Sequence, residues 1–271
     1  MLRLRYHGTT TIPVEAERIT PDELAGKSVA EIATLPVQHG NASAQLGEFF
    51  AVEGDASDEV ITLEGDCSRV KWIGAGMTRG SITVHGNVGM HLGAEMRGGT
   101  IKVYGNSGDW VGAEMRGGRI HVHGDAGSMA GAAYRGNRVG MRGGVLLIEG
   151  RAGAEVGAHL RRGLIVVGGD VGEFAGAAMV AGSVFVFGRA GLRPGAGMKR
   201  GTLAFGGDMP GLLPSFRVDC DYRPAFLNLY LRQLRAWSFP VPDRLFQGRW
   251  RRYSGDLIEL GKGELLHWRE N

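Results

Sequence analysis

The 271-residue chain carries 47 glycines, about 17% against a usual ~7%, but only 9 prolines and no Gly-X-Y period, which excludes collagen and low complexity. Hydrophobic residues at 43% and charged residues at 22% describe a folded protein with a real core, and a net charge of +3 is too small to point to nucleic acid. No apolar run nears the ~18 residues of a membrane span, MLRLRYHGTT lacks a signal-peptide pattern, and two cysteines without a CxxC pair exclude iron–sulfur or Cys-based zinc sites, so a reducing cytoplasm is expected.

Residues 1–47 contain two capping-box patterns, Thr20-Pro-Asp-Glu23 and Ser28-Val-Ala-Glu31, which predict short helices. From Gly65 to residue 206 the chain repeats itself. GNVGMHLGAEMRGGTIKVY from Gly86 is followed by GNSGDWVGAEMRGGRIHVH from Gly105, and further copies start at Gly124, Gly150, Gly169 and Gly188. The spacing is 19 residues, except for a first copy two residues longer and one copy with a seven-residue insertion, roughly AYRGNRV, between Ala133 and Met141. Each copy ends on an alternating segment such as Ile82-Thr-Val84, Ile101-Lys-Val103, Ile120-His-Val122 or Val184-Phe-Val186, a strand with one face inward. Glycines at fixed offsets suit corners. So short and glycine-rich a copy leaves no room for a helix. The predicted fold is mainly β, a right-handed parallel β-helix of about seven coils within residues 48–210, making a rod roughly 34 Å long at ~4.8 Å per coil.

Met96, Met115, Met141, Met179 and Met198 recur at one offset and read as an interior column. The outward strand position runs Thr62, Thr83, Lys102, His121, then Leu147, Val166, Phe185, Ala204, polar on the first four coils and apolar on the last four. An exposed apolar ladder needs a cover. Residues 224–238, PAFLNLYLRQLRAWS, supply one: Phe226, Leu227, Tyr230, Leu231, Leu234 and Trp237 follow helical spacing, with Pro224 suited to the first turn and Pro240 just beyond the end. The same surface would also suit a partner protein. Residues 211–271 are expected to form this helix and a tail, and the stretch 217–252 carries eight Arg against three Asp.

Candidate chemistry is sparse. His121 and His123 point the same way on one strand about 6.6 Å apart, near enough for a metal to bridge, but no third ligand is evident and a solvated strand face is the plainer reading. His85 and His123 fall two coils apart, roughly 9.6 Å, with Tyr104 between them, and His159 stands alone. The glycines of 74–80 and 168–172 lead to further corners and strands, not to the helix N-terminus a phosphate loop needs. Neither GxSxG nor HExxH occurs. No catalytic residue, metal ligand or bound cofactor is expected. The remaining signal is basic: Arg97, Arg116, Arg142, Arg161 and Lys199 follow the Met column, with Arg79, Arg162 and Arg200 one position later. Glu95 and Glu114 are expected to offset the earlier ones. Arg97, Arg116, Arg142, Arg161 and Arg162 are the candidate contacts to a polyanion or to an acidic surface of another subunit, against a bland alternative of solvated corners.

With GAEMRGGTIKVYG and GAEMRGGRIHVHG in view, the chain resembles the glycine-rich β-helix shared by the C-terminal part of the glutamate synthase large subunit and by the C subunit of formylmethanofuran dehydrogenase. YRPAFLNLYLRQL and ELAGKSVAEIATLPV extend the resemblance to the dehydrogenase subunit. That family has an archaeal version, in a tungsten or molybdenum enzyme, and a bacterial one, in a formyltransferase/hydrolase complex. The latter moves a formyl group from tetrahydromethanopterin to a methanofuran-type carrier and hydrolyses it to formate. Arg-rich composition (Arg161-Arg162, Arg251-Arg252) favours the bacterial version. The resemblance implies a non-catalytic scaffold in one-carbon metabolism, partnered by amidohydrolase-like, formyltransferase and further subunits, with the carrier and tetrahydromethanopterin used by the complex and not bound by this chain. A carbohydrate-active β-helix enzyme is the alternative of another class, although no outward carboxylate pair presents itself.

Overall fold

A computed structural model describes residues 1–270 of the chain. Its N-terminal part contains β1 (Leu2–Tyr6), β2 (Val14–Glu15), α1 (Pro21–Leu24), α2 (Val29–Ala33), β3 (Pro36–His39), β4 (Ala42–Gln45) and β5 (Phe50–Gly54). The repeats contribute β6 (Val60–Glu64), β7 (Val70–Lys71), β8 (Ser81–His85), β9 (Thr100–Val103), β10 (Arg119–Val122), β11 (Arg142–Ile148), β12 (Arg162–Val167), β13 (Ser183–Val186) and β14 (Arg200–Phe205). Then follow β15 (Arg217–Tyr222), α3 (Ala225–Ala236), β16 (Arg249–Gly255) and β17 (Lys262–Arg269).

The repeat dictates the sheet. From β8 through β14 each strand pairs in parallel with the strand of the next copy, and the apolar residues stay in register: Val84 faces Val103, Val103 faces Val122, Val122 faces Ile148, and so on to Phe205. A second parallel ladder joins Cys67, Val88, Ser107, Ala126, Ala152, Val171 and Ala190. Two ladders at different points of one repeat require the chain to wind back onto itself once per copy. The result is a β-helix-like stack built on a large, mostly parallel sheet. Met77, Met96, Met115, Met141, Met179 and Met198 are buried, as are Ile82, Ile101 and Ile120. Each such side chain contributes about 1.5–3 kcal/mol by leaving water.

The Arg-Gly-Gly corners show why glycine recurs. Gly118 has φ +82°, and a Cβ there would come within 2.7 Å of the Met96 methyl. At Gly117 a Cβ would collide with the Arg97 carbonyl oxygen of the coil below. Glycine is required by conformation at one position and by close stacking at the other.

Both ends add strands to the expected helices and tail. Leu2-Arg-Leu4-Arg-Tyr6 forms a strand of the main sheet, parallel to β6 and antiparallel to β5. Both predicted short helices form, and Ser28 and Glu31 close a full capping box. Thr20 accepts from the Glu23 N–H, but the Glu23 carboxylate turns to Arg18 and Lys27 instead. At the other end β17 adds one more parallel strand, Leu203 facing Leu265, and β16 and β15 follow as antiparallel neighbours. Asn271, the last residue of the expected tail, lies outside the described residues.

The apolar ladder is covered by α3. Leu147, Val166, Phe185 and Ala204 are almost fully buried in one cluster with Leu227, Leu231 and Leu234 of the helix. Phe226, Tyr230 and Trp237 flank that contact partly exposed. The helix stops at Ala236, two residues before the expected end, because Ser238 takes a left-handed φ of 61° and turns the chain so that Phe239 also joins the cluster. The cluster extends to Val241, Leu245, Trp250 and Leu266.

Candidate functional site

His121 occupies the boundary between the polar and apolar halves of the outward ladder. It faces Lys102 on β9 and Leu147 on β11. His123 follows on the same side, and Glu149 is its neighbour on the adjacent coil, anchored by the Glu149 N–H donating to the Val122 carbonyl at 2.9 Å. One carboxylate oxygen, Glu149 Oε1, lies 2.8 Å from His121 Nε2 and 2.7 Å from His123 Nδ1. Glu149 is the third polar group that the sequence did not reveal. His121 is 8% exposed, so the solvated strand face expected for it is corrected: Leu147 beside it and the Phe239 ring, 6.1 Å away, cover most of it. Burial, His123 and Lys102 hold His121 below the usual histidine value despite Glu149.

The two imidazoles border a cavity of about 300 Å³ between the sheet and the end of α3, together with Lys102, Arg119 and Trp237. Both cations rest on rings: Lys102 Nζ is 4.6 Å over Tyr104, and the Arg119 guanidinium is 5.6 Å from Trp237. Below them His85, Tyr104 and His123 stack along the axis at 5.1 and 5.0 Å. His159 sits apart at a left-handed corner, φ 59°.

A second aromatic column, not foreseen from the sequence, stands on the left-handed corners. Trp72 stacks on His91 at 4.1 Å and His91 on Trp110 at 5.3 Å. The seven-residue insertion folds onto it. Tyr134 OH hydrogen-bonds His91 Nδ1 at 3.0 Å, and Glu114 accepts from the Tyr134 N–H at 3.1 Å and from Asn137 Nδ2 at 2.5 Å. Glu114 is thus buried under the insertion and does not offset the arginines, as had been expected of it. Burial, reinforced by Lys71, holds His91 below the usual 6.5, with Asp109 pulling the other way. A folded-state value below the unfolded one means that the stability is present above 6.5 and lost as pH falls through the lowered value. Thermal melts from roughly pH 7 to pH 5 should show a falling midpoint, and His91→Phe, which keeps the stack but cannot titrate, should show a smaller fall.

The arginines form the expected ladder. Backbone N–H groups of Arg97, Arg116, Arg142, Arg161 and Lys199 each donate to a Met carbonyl one coil below, at 2.6 to 2.9 Å. All five side chains are exposed, and so is Arg162, which faces Arg142 across the β11–β12 pair. Arg116 reaches Glu95 at 3.8 Å and Lys199 reaches Glu259 at 3.6 Å. Arg97, Arg142, Arg161 and Arg162 have no ion pair among the described residues. Further along the sheet, beside β17, a cleft of about 720 Å³ is lined by Arg189, Arg244, His267, Trp268 and Arg269. Cys67 is fully buried, and burial pushes its thiol up to about 12, away from the thiolate form.

The GXGXG motif family matches residues 60–211. Among solved structures, a chain of the formyltransferase/hydrolase complex (FhcABCD) from Methylorubrum extorquens, crystallised with methylofuran, superposes with a TM-score of 0.90 at 37% identity, covering 98% of either chain. The C subunit of the molybdenum-containing formylmethanofuran dehydrogenase 1 of Methanothermobacter thermautotrophicus is 46% identical over 82 residues, 30% of this chain and 20% of that one. The C subunit of the tungsten-containing dehydrogenase 2 of the same organism is 44% identical over 85 residues, 30% of this chain and 32% of that one. The match spans about a fifth to a third of those curated relatives. Among the described residues no helix is long and apolar enough to cross a membrane. A family match over more than half the chain, on the glycine corners and stacked strands described above, means that this protein belongs to the GXGXG family.

Proposed function

We propose that this chain is the rod-like scaffold subunit of a cytoplasmic formyltransferase/hydrolase complex, in which other subunits transfer formyl from tetrahydromethanopterin to a methanofuran-type carrier and hydrolyse it to formate. The observation that carries this reading is the end-to-end likeness, 98% of both chains, to a chain of the bacterial complex, against a 30% segment shared with the archaeal dehydrogenase subunits. The rod consists of about seven right-handed coils within residues 48–210, flanked by an N-terminal segment, 1–47, and a C-terminal cover, 211–271. The reading is supported by what the surface offers a neighbour. Leu257, Ile258 and Leu260 lie exposed on the loop between β16 and β17, and Ile258 is 83% exposed. Such a cluster suits insertion into an apolar socket of another subunit. The aromatic column does not favour a sugar-active enzyme, because Trp72, His91 and Trp110 spend their faces on one another and leave few for a sugar.

Co-expression with the amidohydrolase-like, formyltransferase and remaining subunits should yield a stable complex with formyl transfer and formate release, whereas the purified chain alone turns nothing over. Ile258→Asp should leave the fold unchanged and weaken assembly. Turnover by the chain alone, or failure of the wild-type chain to assemble, would overturn the proposal.

A further inference from the structure

We infer that His121, His123 and Glu149 form a binding site for one divalent d-block cation of the zinc class, an assignment independent of the proposed complex. The three donor atoms lie within 4.8 Å of one another. They come from two adjacent coils whose register is fixed by the Val122–Ile148 pairing, so the backbone places them. Two imidazoles and one carboxylate are the donor set of open zinc and non-haem iron sites, in which a fourth position stays free. Zinc–donor bonds of ~2.0–2.1 Å in a tetrahedral site put donor atoms ~3.3 Å apart. Here Glu149 Oε1 stands 2.8 and 2.7 Å from the two nitrogens, so opening each contact by about half an ångström admits the ion. An ion takes the place of the hydrogens in these contacts: each imidazole must carry its ring proton on the other nitrogen to ligate through the atom that faces Glu149.

The surroundings decide which ion. Lys102 and Arg119 border the same cavity and outnumber the single carboxylate, so a hard cation held by charge and oxygen ligands gains little there. A zinc-class ion gains from the two nitrogen donors themselves, which converge with the carboxylate oxygen on one point. The cavity admits water or a small anion to the fourth position. His123 Nε2 is buried with no hydrogen-bond partner, so nothing pins that ring from behind. Affinity is therefore expected to be moderate, since losing such support typically weakens a site about 10–100-fold.

The test uses the full chain, stripped with chelator and titrated with Zn²⁺ and Co²⁺. The wild type should retain one zinc per chain through gel filtration, and bound Co²⁺ should show the intense visible bands of a low-coordinate site. Mg²⁺ and Ca²⁺ should not compete. His123→Ala and Glu149→Gln should each lower zinc affinity at least tenfold, while His85→Ala, in the same ring stack but outside the donor trio, changes nothing. Melting curves of the metal-free variants verify that each is folded, and Glu149→Gln, which keeps a hydrogen-bonding group of the same size, guards against simple collapse. A wild type that retains no zinc, or variants that retain as much as it does, would show a hydrogen-bonded His–Glu–His trio without an ion and overturn the inference.

Discussion

Val103→Asp or Ile120→Asp should lower the unfolding midpoint by on the order of 6–20 °C, or prevent folding altogether. Both side chains are fully buried in the inward ladder, Val103 between Val84 and Val122 in the stack. The Ile120 side chain also fills the space left by two corner glycines: its Cδ1 would lie 2.5 Å from a Cβ on Gly93 and 3.5 Å from one on Gly112. A carboxylate there has no partner and no water, which costs about 3–5 kcal/mol against a total stability of about 5–15. At ~2–4 °C per kcal/mol for a chain approaching this size, the shift is easily measured. Ile120→Val, which removes one methylene, should cost only about 0.5–1.5 kcal/mol. Thr83→Asp, on the outward side of β8, should cost less still. An unchanged midpoint in both Asp variants would mean that the inward and outward faces have been exchanged.

The central stack was legible because each 19-residue copy carries the same conformational demands at the same offsets: glycine where φ is positive or coils touch, β-branched residues where a strand faces inward. The apolar half of the outward ladder likewise announced its cover, since Leu147, Val166 and Phe185 cannot face water together. The terminal strands follow a different logic. Leu2-Arg-Leu4-Arg alternates as a strand should, but no repeat marks it as part of the sheet. In β17, Leu265 and Leu266 are both buried, one toward the stack and one toward α3, so the strand lacks the alternation that betrays a half-buried one. Glu149 was hidden for a topological reason. The seven-residue insertion separates it from His123 by 26 residues, where the regular repeat would give 19, and it falls just past the strand pattern. The Trp72–His91–Trp110 column could have been found, since its members are 19 residues apart. What the sequence did not convey is that a corner at φ near 60° aims successive rings at one another. Tyr134 and Glu114 had no such signal, because their contact depends on how the insertion folds back.

Reversing Arg97, Arg116 and Arg142 together to Glu should leave the chain folded and abolish its assembly with the other subunits of the proposed complex. The fold should persist because all three side chains are exposed and, among the described residues, only Arg116 has an ion pair, a long one to Glu95 at 3.8 Å. Exposed pairs of that kind contribute ~0.2–1 kcal/mol. The interaction surface changes far more. The three reversals alter the net charge by six units, from +3 to −3, along a single edge of the stack. An acidic surface that matched the ladder would then meet like charges at each coil, which costs several kcal/mol at an interface even where each original pair contributed little. Two measurements separate docking from the other role open to these groups, a loose electrostatic track for a polyanionic carrier. In gel filtration, loss of the assembled peak identifies docking. If the complex forms but needs more carrier for half-maximal activity, and the deficit grows with salt, the arginines attract the carrier instead, because screening over ~8–10 Å weakens what attraction the neighbouring Arg161 and Arg162 still provide. Normal assembly together with normal carrier dependence would assign the ladder to solvent. Its regular spacing would then reflect only the repeat that places an arginine after each buried methionine.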